Sequence, residues 1–399
     1  MFEIKGKVNT AICYAKVVEQ EAVDQIARMC DYEFTAGSRI RIMPDVHAGK
    51  GCTIGTTMTV HDKAVPNIVG VDIGCGMYTV SLGEQEIDLV KLDEAAHYVP
   101  SGKNVWEGRQ ERFGLERLRC YRSLKDTKRL ERSLGTLGGG NHFIEVERAA
   151  DGTAYLVIHS GSRNLGKQVA EIYQQLAVDL NKGKETYFQE REAIIREYKA
   201  AGRRKEIQDA LKKISWNARE TTMPEDLCYL YGRYLEDYLH DVEICQEFAQ
   251  RNREKIAEVL LAWTGMTGSD GYHTVHNYID TGEMILRKGA IAAHAGEKVL
   301  IPINMKDGSV LAVGKGNPEW NYSAPHGAGR LMSRRTAKER LSMELYRELM
   351  KGIYTTSVSE ETLDEAPMAY KSLEDIIDVI RESVEVIDIL KPIYNFKAG

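Results

Sequence analysis

The chain has no apolar run near the roughly 18 residues that cross a membrane. Its first residues, MFEIKGKVNT, lack the charged-then-apolar order of a secretory leader. No Cys-x-x-Cys pair occurs, and the seven cysteines are an odd number. A disulfide framework is not expected; the thiols read as reduced, in a cytoplasmic setting, and available to metals. Excess positive charge is also missing. With a net charge of −6, the chain cannot wrap a polyanion over its whole surface, so such contacts must come from a local patch. No internal repeat or low-complexity tract stands out. Two familiar signatures fail. There is no His-Glu-x-x-His, and the near P-loop Gly161-x4-Gly166-Lys167 is followed by Gln168 where a magnesium-binding Ser or Thr belongs.

What is present is a globular composition, 43% hydrophobic and 28% charged. The 399 residues suffice for one large domain or two to three ordinary ones. The most informative stretch is 67–77, NIVGVDIGCGM. It places the Asp72 carboxylate and the Cys75 thiol three apart among Gly70, Gly74 and Gly76, between an apolar run and a β-prone run. The pattern reads as strand, tight loop, strand, with both side chains aimed off a sheet end. A cysteine beside glycines is more often a small packing residue, so the reading depends on similar loops elsewhere.

Such loops recur. Residues 40–59, IRIMPDVHAGKGCTIGTTMT, read as strand, loop, strand, with Pro44 bounding the first strand and Asp45, His47 and Cys52 in between. Residues 134–146, LGTLGGGNHFIEV, bring three glycines before Asn141 and His142. That suggests backbone pressed against a ligand, although a plain hairpin loop reads equally well. Residues 154–168 form a strand ending at His159, with Arg163 in a loop suited to phosphate. Residues 168–262 show three- and four-residue apolar spacing over 169–180, 187–198 and 227–261, a helical region beside a β-rich body. In 271–279, GYHTVHNYI, His276 is a candidate single ligand from a loop. Residues 285–314 are strand-rich, with turns at Gly296 and Asp307-Gly308. In 318–335, PEWNYSAPHGAGRLMSRR, Gly327 and Gly329 leave His326 exposed, with Arg330, Arg334 and Arg335 on the first turns of a helix expected over 331–351. Ser372 caps a last helix through Asp375. The charged stretch 103–132 reads as a solvated face.

Asp72, Cys75, His142, His159 and His276 offer one oxygen, one sulfur and three nitrogens. That exceeds the need of one tetrahedral ion, and a thiolate can bridge two. Manganese or zinc suits such mixed donors, and a metal pair suits displacement at phosphorus. His326 is then left as an imidazole able to attack phosphorus covalently, with arginines nearby to stabilise charge. Lysine-nucleophile ligases need Lys-x-Asp-Gly; Lys306-Asp307-Gly308 lacks the spacer, so histidine is the better candidate.

The stretches MPDVHAGKG, VGVDIGCGM, GTLGGGNHF, HSGSR, VHNY, APHGAGRLMSR and EAPMAYK together resemble the RtcB RNA-splicing ligase family over nearly the whole chain. The resemblance implies joining of RNA ends bearing a 2′,3′-cyclic phosphate or 3′-phosphate to 5′-hydroxyl ends, with GTP and two Mn²⁺. It implies Cys75 bridging the ions, with Asp72 and His142 completing one site and His159 and His276 the other. His326 would accept GMP, assisted by Asn141 and Arg163. Asn141, Phe143, Glu145, Gly327, Ala328, Gly329, Tyr370 and Lys397 would contact the guanylate, and Arg163, Arg330 and Arg334 the RNA phosphates. Two departures stand out. Ile303-Asn304-Met305-Lys306 follows Ile301-Pro302 where many members have Gly-Ser-Met-Gly, and the chain ends Lys397-Ala398-Gly399 rather than on Lys-Gly.

The expected fold is α+β: one large domain over 1–399, with stacked, mostly antiparallel sheets, helices outside and a helical insertion over 168–262 on the flank. A monomer is expected, with an activating protein partner allowed for. Two other readings stay open: a dimetal phosphoesterase trimming RNA 3′ ends without nucleotide, and a non-catalytic RNA-binding module.

Overall fold

β-branched and aromatic residues recur along Gly76–Gly83, Phe143–Arg148 and Ala154–Ser160, and these segments pair antiparallel. They form the centre of a seven-stranded sheet. Its order is Ser269–Val275, Gly76–Gly83, Ala154–Ser160, Phe143–Arg148, Val384–Lys397, Gly308–Gly314, Lys298–Asn304, with every neighbour antiparallel. The register sets Met77 opposite His159, His159 opposite Phe143, and Phe143 opposite Lys397. Directly opposed residues share a face, so these four side chains lie in one row across four strands. In the computed structural model residues 1–49 and 51–397 are described; Lys50 of the 40–59 stretch and the terminal Ala398-Gly399 lie outside the described residues.

A six-stranded sheet runs Phe2–Lys5, Thr10–Cys13, Ile40–His47, Ile54–Thr59, Ile285–Lys288, Asn277–Asp280. Its pair Thr10–Cys13 and Ile40–His47 is parallel and the rest are antiparallel. The fold is α+β and mostly antiparallel, as expected. His276 stands between Ser269–Val275 and Asn277–Asp280, where the chain leaves one sheet and enters the other.

The helical region comprises Arg163–Asn181, Glu185–Ala200, Ile207–Leu211 and the 33-residue Gly232–Thr264, which Gly265 ends in the left-handed conformation at φ 79°. The long helix packs against strands of both sheets. Ile256 and Leu260 meet Leu156 and Ile158 of the seven-stranded sheet in one core cluster. Tyr238, Val242 and Phe248 join Ile40, Ile42 and Met58 of the six-stranded sheet in another. Among the described residues no helix is long and apolar enough to cross a membrane.

Three local expectations are corrected. The apolar lead-in to Asp72 is a short helix, Pro66–Val69, because proline suits the first helical turn, where no N–H is needed. Pro44 does not end its strand. The strand continues to His47, and its ladder to Ile54–Thr59 shifts between Ile42 and His47, so the missing N–H leaves no bond unmade. The helix expected over 331–351 is two helices, Arg334–Arg340 and Met343–Leu349, because Ser333 and Ser342 each cap a new start. His326 therefore follows the short strand Ser323–Pro325 rather than opening a helix.

Candidate active site

The five donor side chains converge. Cys75 Sγ lies 3.5 Å from His142 Nε2 and 3.3 Å from His159 Nε2. His142 Nε2 lies 3.1 Å from Asp72 Oδ2, and His159 Nε2 lies 3.0 Å from His276 Nε2. Two trios result, Asp72–Cys75–His142 and Cys75–His159–His276, each with its ligand atoms within 4.8 Å of one another and both sharing Cys75.

Local structure aims these atoms inward. His142 Nδ1 donates to Leu137 O at 2.8 Å and His159 Nδ1 to Asn141 O at 3.0 Å. A carbonyl can only accept, so the Nε2 of each ring presents a lone pair to the cluster. His276 is held by its own N–H on Cys75 O (2.9 Å), and Gly74 N donates to Asn277 O (2.7 Å). Gly161 leaves the space for Asp72: a Cβ there would sit 2.2 Å from Asp72 Oδ1.

The electrostatics favour a cation. Burial keeps His159 and His276 well below the ordinary imidazole range, so both are neutral donors. Burial opposes ionisation of Asp72, yet its neighbours in the cluster and the charge of Arg163 hold its carboxyl below the usual value. Burial pushes the Cys75 thiol well up, with Asp72 adding to it, and a coordinated metal is what reverses that. A His159 Nε2 lone pair pointing at His276 Nε2 3.0 Å away, and a buried Asp72 Oδ1 with no hydrogen-bond partner, fit a bound divalent ion.

Two adjacent helix residues gather the ligand loops. Asn252 Oδ1 accepts from Gly135 N (2.7 Å) and Thr136 N (3.0 Å), while its Nδ2 donates to Thr136 O, Ser160 Oγ and Gly161 O. Arg253 Nη1 donates to Gly74 O (2.7 Å) and Ser160 O (2.8 Å), each beside a ligand residue. Both side chains are fully buried.

Above the cluster opens a cavity of about 320 Å³. His159 and His276 face it from one side and His326, Gly327, Ala328 and Gly329 from another. Asn141, Phe143, Glu145, Tyr370 and Lys397 complete the set expected to hold a nucleotide, and Arg330 and Arg334 also line it. The row Met77, Phe143, His159, Lys397 is its floor, by strand register. Ile303, Asn304 and Met305 of the departing loop form part of the wall. The His276 and His326 ring centroids are 4.8 Å apart. His326 Nδ1 meets Asp45 Oδ2 at 2.6 Å, and the His326 backbone N–H reaches the same oxygen at 3.2 Å.

Glu365 knits the far wall. Its Oε2 takes Lys397 Nζ (2.6 Å) and Tyr370 OH (2.7 Å), and its Oε1 pairs with Arg330 (3.4 Å) and with Arg334. Arg334 also binds Asp364 at 2.7 Å. Two of the three arginines expected at RNA phosphates, Arg330 and Arg334, thus line the cavity already engaged with carboxylates. Burial pushes Glu145 up to about 7, while Lys397 and Asn395 pull the other way. Arg163 is not among the cavity's lining residues. It bonds Thr136 Oγ1 (3.0 Å) and Gly102 O (2.7 Å) on the Asp72 side of the cluster. His273, three residues before His276, stacks on Tyr78 and approaches Glu254, outside the cluster.

Four residues escaped sequence reasoning in these roles. Asp45 and Glu365 lay inside recognised stretches with nothing to mark their partners. Asn252 and Arg253 carried a signal, polar residues on the apolar stripe between Phe248 and Ile256.

A donor cluster under a cleft, with a carboxylate-oriented imidazole in its wall, makes a candidate catalytic centre. The chain belongs to the tRNA-splicing ligase RtcB family, whose model matches residues 25–119 and 107–398. It is 31% identical to the RNA-splicing ligase RtcB of Escherichia coli K12, over 95% of each chain. The tRNA-splicing ligase RtcB of Archaeoglobus fulgidus is 29% identical, over 92% of this chain and 89% of the relative. A second E. coli type, RNA-splicing ligase RtcB2, is 26% identical over 90% and 88%.

Proposed function

We propose that this chain, an RNA ligase of the RtcB family, joins 2′,3′-cyclic-phosphate or 3′-phosphate RNA ends to 5′-hydroxyl ends through a guanylylated His326. The carrying observation is His326 itself: a cleft-lining imidazole whose Nδ1 is committed to buried Asp45 and whose ring stands 4.8 Å from that of His276. With Nδ1 donating to the carboxylate, Nε2 keeps its lone pair for attack.

His326 Nε2 attacks the α-phosphorus of GTP; an N–P bond forms and pyrophosphate leaves. A 2′,3′-cyclic end is first opened by water, which breaks its bond to the 2′-oxygen and leaves a 3′-phosphate; an oxygen of the 3′-phosphate then attacks the guanylyl phosphorus, breaking the N–P bond and freeing His326. The 5′-hydroxyl attacks the activated 3′-phosphorus, and GMP leaves. Asp45 holds the imidazole in place and stabilises positive charge as it builds on the ring. Asn141, Phe143, Glu145, Tyr370 and Lys397 hold the guanylate, Lys397 next to Phe143 in the sheet register. Arg330 and Arg334 hold RNA phosphates by exchanging part of their pairing with Asp364 and Glu365, and Arg163 serves the RNA from the Asp72 side. Two Mn²⁺, or Zn²⁺ in their place, would be held by Asp72, Cys75 and His142 and by Cys75, His159 and His276, supplying charge stabilisation at phosphoryl oxygens. The whole chain acts as one catalytic body in the cytoplasm, as a monomer, with a protein activator allowed for.

The test is incubation with α-³²P-labelled GTP and Mn²⁺, then a 3′-phosphate/5′-hydroxyl RNA pair. Label should attach to the wild type and not to His326→Ala, and strands should be joined. Label retained by His326→Ala refutes the nucleophile; trimmed but unjoined ends point instead to a phosphoesterase.

A further inference from the structure

Among the described residues, two carboxylates line the catalytic cavity, Glu365 and Glu145. Glu365 is taken up by Lys397, Tyr370, Arg330 and Arg334. The wall at residues 303–305 adds no free side-chain acceptor. Asn304 Oδ1 accepts from Lys306 N and Asp307 N, each at 3.0 Å, and its Nδ2 donates to Asp307 Oδ2 at 2.8 Å, so its amide is spent within the turn. Ile303 and Met305 are apolar and buried. Glu145 is the carboxylate left to read the edge of a purine.

A neighbouring strand holds Glu145 in place. Asn395 stands directly opposite it in the antiparallel register and donates Nδ2–H to Glu145 Oε1 at 2.5 Å. Asn395 is fully buried, and its Oδ1 has no hydrogen-bond partner. An apolar side chain would fill that place without leaving a buried oxygen unpaired, so the amide points to a role at the carboxylate. Its bond fixes the rotation of the carboxylate, leaves Oε2 to other donors, and favours the ionised form that burial opposes.

The other titratable groups around Glu145 are settled. Lys397, on the strand of Asn395, also favours the ionised form and is bonded to Glu365. Glu147, two residues along the same face, takes the Ser309 hydroxyl at 2.8 Å and is kept uncharged by burial and by the charge of Glu145, with Lys391 opposing. Tyr155 and His159, on the strand paired with that of Glu145, stay neutral through burial, as does Tyr272 beyond Thr79.

The form of Glu145 decides which purine fits. Guanine presents N1–H and N2–H, which an ionised carboxylate accepts. Adenine turns the N1 lone pair to the same place and is repelled, whereas a protonated carboxyl would donate to it. A site built to hydrogen-bond one edge rejects the other strongly.

We infer that Asn395 is the positioning residue that keeps Glu145 in its guanine-accepting form, and so sets which purine nucleotide the site takes. The inference rests on the ligase reading above and adds a specificity residue to it.

Asn395→Val and Asn395→Thr test it, because the two side chains share one shape, both suit a strand, and Thr alone keeps a donor. Labelling of His326 by α-³²P-labelled GTP and ATP is followed from about pH 5.5 to 9. In Asn395→Val the acid limb of kcat/KM for GTP should move up by about one pH unit. KM for GTP should rise about tenfold near neutral pH with kcat unchanged, since His326 is untouched, and the preference for GTP over ATP should fall about as far. Asn395→Thr should recover part of each effect. Asn395→Ala, smaller and equally without a donor, should behave as Asn395→Val does, so a clash in one variant does not decide the result. A merely structural role would lower the melting temperature and leave the acid limb and the GTP-to-ATP ratio in place. That outcome, or wild-type protein labelled equally by both nucleotides, overturns the inference alone. Wild-type protein that takes no label and joins nothing overturns the ligase reading itself.

Discussion

His326 donates Nδ1–H to Asp45 Oδ2 at 2.6 Å across 281 positions of sequence. Asp45 is fully buried and also receives the His326 backbone N–H, so one carboxylate sets both the tautomer and the direction of the ring. Asp45→Asn keeps the shape but lets the amide impose the other tautomer. Labelling of the protein by GTP should slow by on the order of 10²–10⁴, as a wrong tautomer does in comparable imidazole–carboxylate pairs. Single-turnover labelling checks this, and an unchanged rate removes Asp45 from the mechanism.

Cys75 belongs to both donor trios, His276 to one. Cys75→Ala should therefore weaken Mn²⁺ binding at both half-sites, and His276→Ala at one only. Titration calorimetry separates the cases; equal losses in the two variants would mean Cys75 is not shared.

Arg253 is wholly buried, and burial lowers its guanidinium pKa to about 10. Its removal leaves the Gly74 and Ser160 carbonyls unpaired and the ligand loops untied. Arg253→Met should destabilise the metal-free protein by about 3 kcal/mol. Urea unfolding in chelator measures this. A loss within the noise would show that the loops hold themselves.

Burial alone would raise the Glu365 pKa, but Lys397 and Arg334 overcome it and hold the carboxyl at about 2, against 4.5 ordinarily. The folded state thus favours the ionised form. Its stabilisation is complete above the ordinary carboxylate range and fades as pH falls through about 2. Glu365→Gln should cost on the order of 2–3 kcal/mol at pH 7. The gap from wild type should narrow as pH falls below the ordinary carboxylate value. Denaturation curves at neutral and acid pH test this, and a pH-independent gap would contradict it.

Local sequence determined the kinds of donor, the glycine-rich loops that carry them and the helical period of the 168–262 region. These depend on spacing between neighbours, which residue order states directly. It also marked the segments that line the cleft, because each carries its own turn chemistry. It misjudged boundaries at Pro44, Pro66 and Ser342, where proline and capping preferences compete with the apolar pattern.

Pairing over distance was decided only by tertiary structure. Asp45 meets His326, Glu365 gathers Lys397, Tyr370 and both arginines, and Arg163 lies off the cleft although it follows His159 by four residues. Strand register and helix packing fix such contacts. Their free energy comes from burying residues far apart in the chain together, which no short window of sequence encodes.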